Sequence, residues 1–121
     1  MARKPSRRYL IKKADKLFSL YIRARDRECK RCHTTENLQC AHVISRRYHA
    51  TRWDPLNAMA LCRGCHLWQT THPLEGEVFF KQVLGDGVFE GLATAALAYG
   101  KPDLEGIIEW LKLQTLELKR G

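Results

Sequence analysis

Residues 29–66 read CKRCHTTENLQCAHVISRRYHATRWDPLNAMALCRGCH. Two Cys-x-x-Cys turns open and close this stretch, Cys29/Cys32 and Cys62/Cys65, with 29 residues between them. Zinc favours four soft or borderline ligands in a tetrahedron, and each turn supplies two thiolates from one compact loop. A lone pair carries little information. Two pairs in a small chain point to one zinc bound by Cys29, Cys32, Cys62 and Cys65. A filled four-sulfur shell has no open position, so this zinc is expected to be structural and not catalytic. Cys40 has no partner at that spacing and reads as a buried small hydrophobe. His33 and His66 each follow a ligand cysteine; either could replace one, and neither is needed.

Outward from the cysteines, apolar patterning sets the elements. Leu38–Ile44 is long enough for one strand, and Asn57–Leu61 reads as a second. Between them Ser45–Asp54 is polar and basic and reads as a loop, with Pro55 biasing Asp54 away from helix. Arg63 to about Thr71 reads as a short helix stopped near Pro73. Upstream, Leu10, Ala14, Leu17, Phe18, Tyr21 and Ile22 recur at helical spacing over Tyr9–Asp26, opposite a Lys/Arg-rich face. Downstream, Leu74–Leu84 is closed by Gly85, and Asp86 caps a segment running to Tyr99 with Gly100 just past it. Pro102 opens a last helix carrying Leu104, Ile107, Ile108 and Leu111. The reading is one α+β domain in three parts: a basic arm and helix over 1–26, a zinc-stapled core over 27–72, and a helical extension over 73–121. The apolar C-terminal helices either finish the core or form a homodimer contact.

A chain of 121 residues with 45% hydrophobic content suits one globular domain with a modest core. No apolar run approaches the roughly 20 residues that span a bilayer. The N-terminus is charged from Arg3 and has no apolar signal-peptide core. Five cysteines without an export signal suggest a reducing compartment, the cytoplasm, where metal binding prevails over disulfides. Charge is unevenly placed. Residues 1–52 hold fifteen Lys/Arg against four Asp/Glu, a balance of +11, while residues 53–121 hold six against nine, a balance of −3. A basic first half points to a polyanionic partner.

Within the quoted stretch stand His42-Val43, then Asn57, then Leu61-Cys62-Arg63-Gly64-Cys65-His66. Fifteen residues separate His42 from Asn57 and nine separate Asn57 from His66. At these residues the chain resembles the HNH endonucleases of the ββα-metal (His-Me finger) class, over about residues 26–72. The flanking RARDRECKRC, AHVISRR and TRWDPLN look like phage recombination proteins of the NinG type.

The resemblance implies a ββα-metal core and metal-dependent hydrolysis of DNA phosphodiesters. It implies His42 as general base, Asn57 as the group orienting His42 through a hydrogen bond, and His66 as ligand of a catalytic Mg²⁺, Mn²⁺ or similar cation. The chemistry is sound, since a neutral imidazole near pH 7 can take a proton from water. Arg46, Arg47 and Arg52, in the loop between His42 and Asn57, are expected to contact the DNA backbone. The implied substrate is double-stranded or branched DNA, nicked one strand at a time, in a bacterial or phage-infected cell. RNA is not excluded, because phosphates carry no base information. One position departs from the family pattern: many HNH enzymes carry a metal-binding Asp directly before the base, and here it is Ala41. Asp54 is the nearest acidic alternative, although a turn acceptor before Pro55 is its plainer reading. Ala41 keeps open a non-catalytic, zinc-stapled DNA-binding module. His49 and His72 fall outside the pattern and read as loop residues, and Trp53 and Trp68 read as core.

Overall fold

The computed structural model describes residues 3–121. The fold is α+β and mostly helical, around one two-stranded antiparallel sheet. The elements in chain order are α1 (Arg7–Asp26), β1 (Leu38–His42), α2 (His49–Arg52), a 3-10 turn (Pro55–Asn57), β2 (Ala58–Cys62), α3 (Arg63–Thr71), α4 (Pro73–Leu84), α5 (Asp86–Ala95) and α6 (Leu104–Arg120).

Helix α1 starts where the Ser6 hydroxyl accepts the Tyr9 N–H at 3.1 Å, meeting one of the orphan donors of the first turn. It ends at Arg27, which takes a left-handed φ of 65° and returns its N–H to the Arg23 carbonyl. Its buried stripe is Ala14, Phe18 and Ile22. The two strands pair from Leu38 opposite Cys62 to His42 opposite Ala58. Side chains alternate across a strand, so β2 serves two cores. Ala58 joins Phe18, Ile22, Trp53, Ile108 and Leu111 on the α1/α6 side. Met59 and Leu61 join Ala41, Cys65, Phe80 and Phe89 on the α3–α5 side. The sheet is therefore the middle of three layers.

Polar contacts fasten α1 to the sheet. The Asp26 carboxylate accepts the Ala60 N–H at 2.8 Å, and the Arg25 guanidinium donates to the Pro55 and Ala58 carbonyls at 2.8 and 3.0 Å. Helix α6 returns to pack on α1 and completes the first core with Leu104, Ile108 and Leu111. Among the described residues no helix is long and apolar enough to cross a membrane.

Several boundaries differ from the sequence reading: α1 starts at Arg7, two residues before Tyr9, and β1 stops at His42, two residues before Ile44. The 45–54 loop contains the single helical turn α2. Asn57 lies in the 3-10 turn and not in β2. Helix α5 stops at Ala95, four residues before Tyr99. Pro102 precedes α6, because Asp103 is its cap and accepts the Gly106 N–H at 3.2 Å.

Candidate functional site

The four paired cysteines come together. The first turn is tightened by its backbone, with the Cys29 N–H on the Thr34 carbonyl at 2.8 Å and the His33 N–H on the Cys29 carbonyl at 2.9 Å. The Lys30 N–H reaches the Ala60 carbonyl of β2, which docks the turn on the sheet. The second pair straddles a strand-to-helix junction: Cys62 caps α3, its sulfur accepting the Cys65 N–H at 3.4 Å. All four sulfurs lie within 4.8 Å of one another. Zn–S bonds of about 2.3 Å in a tetrahedron space sulfurs about 3.8 Å apart, so the donor set fits zinc. The cysteines are free thiols, unbridged by disulfides.

Local donors prepare one of these sulfurs, that of Cys29, for ionisation. Burial pushes the Cys29 thiol up, but the N–H groups of Cys32, Cys62 and Arg31 outweigh it and bring it down to about 6. At Cys65 burial dominates and holds the thiol at about 12, opposed by the Arg31 guanidinium, 3.5 Å from its sulfur. Arg31 also lies 3.7 Å over the Trp68 ring, which fixes its charge beside the cluster. Four adjacent thiolates repel one another unless a cation offsets them. His33 points away to Glu28 and is not needed as a ligand.

A separate cleft of about 740 Å³ lies between α1, β1 and α3. His42, at the end of β1, and His66, one turn into α3, both line it. Helix α1 contributes Asp15, Ser19 and Arg23, a polar stripe at four-residue spacing beside its buried stripe. Arg46 comes from the loop.

Each histidine has one nitrogen engaged. His42 Nε2 donates to the Arg52 carbonyl at 2.9 Å; a carbonyl only accepts, so Nδ1 is left as the proton acceptor. His66 Nδ1 donates to Gln39 Oε1 at 2.8 Å, leaving Nε2 with its lone pair. Burial lowers both pKa values below the ordinary histidine range, and the Arg46 guanidinium lowers both further. Both rings are thereby kept neutral, the form that accepts a proton or binds a metal.

Asn57 does not orient His42 directly. It is fully buried, and its amide spans the loop: Oδ1 accepts the Ile44 N–H at 2.8 Å, and Nδ2 donates to the Ile44 and Thr51 carbonyls at 3.1 and 3.0 Å. It therefore holds both ends of the segment that presents the Arg52 carbonyl to His42.

The other expected contacts divide. Of the three loop arginines, Arg46 faces the cleft. Arg52 is already committed, its guanidinium paired to both oxygens of Asp15 at 3.0 and 2.6 Å. Arg47 lines a different groove, beside Tyr48. Asp54 caps the 3-10 turn, accepting the Leu56 N–H at 2.9 Å, and it does not line the cleft. It is a turn acceptor and not a partner of His66. Among the described residues the four cysteines are the only cluster of three or more His, Cys, Asp or Glu side chains placed to hold an ion. Cys40 packs against the α1 core, its thiol raised to about 12 by burial. Trp53 is buried and donates from Nε1 to Asp15 at 2.9 Å.

No family model, curated protein or solved structure matches the chain.

Sequence reading missed four residues of these sites: Asp15, Arg23, Gln39 and Arg31. Asp15 carried a signal, being the one acid among the residues of α1 before Asp26. An isolated carboxylate in a basic helix marks an ion pair across the fold. Gln39 and Arg31 carried none, since their partners lie 27 and 34 residues away.

Proposed function

We propose that the chain is an HNH-type, metal-dependent endonuclease that hydrolyses DNA phosphodiesters. The observation that carries the reading is one cleft lined by two neutral histidines from different elements, with Arg23 and Arg46 on its walls. The order β1, loop, β2, α3, with a cysteine pair at the strand-to-helix junction, is what the resemblance leads one to expect.

In this reading His42 Nδ1 takes the proton from the attacking water while the Arg52 carbonyl holds Nε2–H. Asn57 and the Asp15–Arg52 pair keep that carbonyl in place. Arg23 and Arg46 bind the polyanionic backbone. Gln39 fixes the His66 tautomer so that Nε2 is free for a cation. His66 is the residue that would hold a divalent cation, and such a cation would supply neutralisation of the charge that develops on the phosphate. The cleft's carboxylate, Asp15, is tied up by Arg52 and Trp53. In this reading the cleft itself offers such a cation one donor, His66 Nε2, and the remaining ligands would have to come from water and phosphate.

Ala41 favours a second reading, a zinc-stapled DNA-binding module without chemistry. Ala41 is fully buried in the core beneath α3, so the position offers packing and no ligand. Supercoiled plasmid incubated with protein and Mg²⁺ or Mn²⁺ separates the two. The nuclease reading expects nicked circles, lost in His42→Ala with zinc content and DNA affinity kept. His66→Ala should also lose nicking and regain part of it with excess Mn²⁺, whereas His42→Ala should not. If wild type nicks nothing with any divalent metal, the binding module is correct. If His42→Ala nicks as well as wild type, His42 is not the base.

A further inference from the structure

The chain leaving β1 turns through Ser45–Tyr48 before α2. Arg46 in that turn faces the cleft, and the next residue, Arg47, lines a second groove of about 440 Å³. One wall is Tyr48, His49 and Ala50 at the start of α2; the other is the turn Ala96–Gly100 after α5. That second wall exists because α5 ends early. The Leu97 and Ala98 N–H groups fall back on the Thr94 and Ala95 carbonyls, and Gly100 redirects the chain at a φ of 109°. The break leaves Leu97 69% exposed and Tyr99 fully exposed. Neither side chain is needed by the cores, so each is free to meet a partner.

The chemistry of the groove narrows that partner. The Arg47 guanidinium lies 5.5 Å from the Tyr48 ring centre, a cation beside an aromatic face. Aromatic faces with an adjacent arginine hold a nucleotide through its two parts, the base by stacking and the phosphate by charge. An apolar protein surface would use Leu97 and Tyr99 but leave Arg47 unmatched. A continuous duplex keeps its base faces stacked on each other, out of reach of a tyrosine.

We propose that this groove binds an unpaired nucleotide flanking the phosphodiester held in the cleft, its base against Tyr48 and Tyr99 and its phosphate on Arg47. The inference rests on the nucleic-acid reading of the cleft. It gives the enzyme a preference for DNA with a single-stranded segment beside the cut, such as a flap or gap.

The test is fluorescence anisotropy without added divalent cation, using a labelled short oligothymidylate and a labelled blunt duplex. Tyr99→Ala, at an exposed turn, should retain zinc content and helicity. It should bind the oligothymidylate about tenfold more weakly, the loss of one stacking contact, with duplex affinity unchanged. Tyr99→Trp should bind the single strand at least as well as wild type. If Tyr99→Ala holds the single strand like wild type while both DNAs bind, the groove proposal fails and the cleft reading survives. Equal losses on both DNAs also overturn it, since they indicate a general phosphate surface. A change in sedimentation of Tyr99→Ala without any DNA effect makes the groove a protein contact and overturns it too. Wild type binding neither DNA brings down the cleft reading and the groove together.

Discussion

Asn57→Ala is the substitution that best tests how His42 is held. The Asn57 side chain makes three hydrogen bonds, and the residue has no exposed surface. The Ile44 N–H has the Asn57 amide oxygen as its partner, whereas the Thr51 carbonyl also receives the Asp54 N–H at 3.1 Å and is only partly deprived. A lost hydrogen bond costs about 1 kcal/mol and an orphaned buried donor about 1–3 kcal/mol, so the sum is about 3 kcal/mol. That is a large share of the roughly 5–15 kcal/mol that stabilises a domain. With a urea dependence of about 1.5 kcal/mol/M, the midpoint should fall by about 2 M. The three tryptophans report unfolding, followed by fluorescence in buffer saturated with zinc. Asn57→Asp keeps the shape and the Ile44 acceptor but turns two donor contacts into oxygen–oxygen contacts, so it should be at least as damaging at neutral pH. A midpoint shift under about 0.5 M for Asn57→Ala would refute the loop-holding role, because the counted bonds could not then be made.

Further outcomes are expected on the proposed reading. Protein purified without chelator should contain one zinc per chain by elemental analysis. Cys29→Ser should lose fold and solubility, since structural zinc contributes of order 10 kcal/mol to folding. Cleavage should hold as pH falls to about 6.5, the ordinary histidine value, and drop only when pH passes the lowered pKa of half-buried His42; a drop already centred above 6.5 would contradict that lowering. Over the same window the unfolded chain takes up the proton first, so stability should decline as pH falls from 6.5 towards the folded pKa. DNA affinity should fall linearly in log–log form with salt, by roughly 0.9 per phosphate neutralised, and a flat response would argue against phosphate-dominated binding.

What was legible in the sequence was local. The cysteine turns are recognisable because the members of each pair stand three positions apart, and their meeting is what a four-thiolate site requires. Helix α1 and strand β2 are legible because burial on one or both faces imposes a period on the residues. The end of α5 was not, since Ala96-Leu97-Ala98-Tyr99 are acceptable helix residues and local propensity is a weak prior against tertiary contacts. Capping decided the start of α6, where the Asp103 carboxylate outweighs the preference of proline for a first turn. The site was legible in its ligand types and obscure in its wiring. The Asp15–Arg52 pair joins positions 37 apart, and no periodicity links them. Asn57 stands out in the sequence only by its place in the resemblance, and its partners are backbone groups, which sequence does not distinguish.

The two cleft histidines are held by separate devices, and this has a testable consequence. His42 and Cys62 sit at opposite ends of the paired strands, four residues or about 13 Å apart along the sheet. Helix α3 starts just after its cap, Cys62, and carries His66 about 6 Å along its axis from that cap, and both rings border one cleft. The cysteine cluster thus fixes the first turn of α3 and with it His66, while Asn57 and Asp15 fix the Arg52 carbonyl and with it His42. Cys32 is the exposed cysteine of the cluster, and histidine is an accepted zinc ligand with a longer side chain. Cys32→His should therefore keep one zinc per chain while shifting the start of α3. The concentration of Mn²⁺ needed for half-maximal nicking should rise, and the pH midpoint set by His42 should stay where it is. A moved pH midpoint with unchanged Mn²⁺ dependence would show that the cluster supports His42, and the division of labour argued from the hydrogen bonds would be wrong.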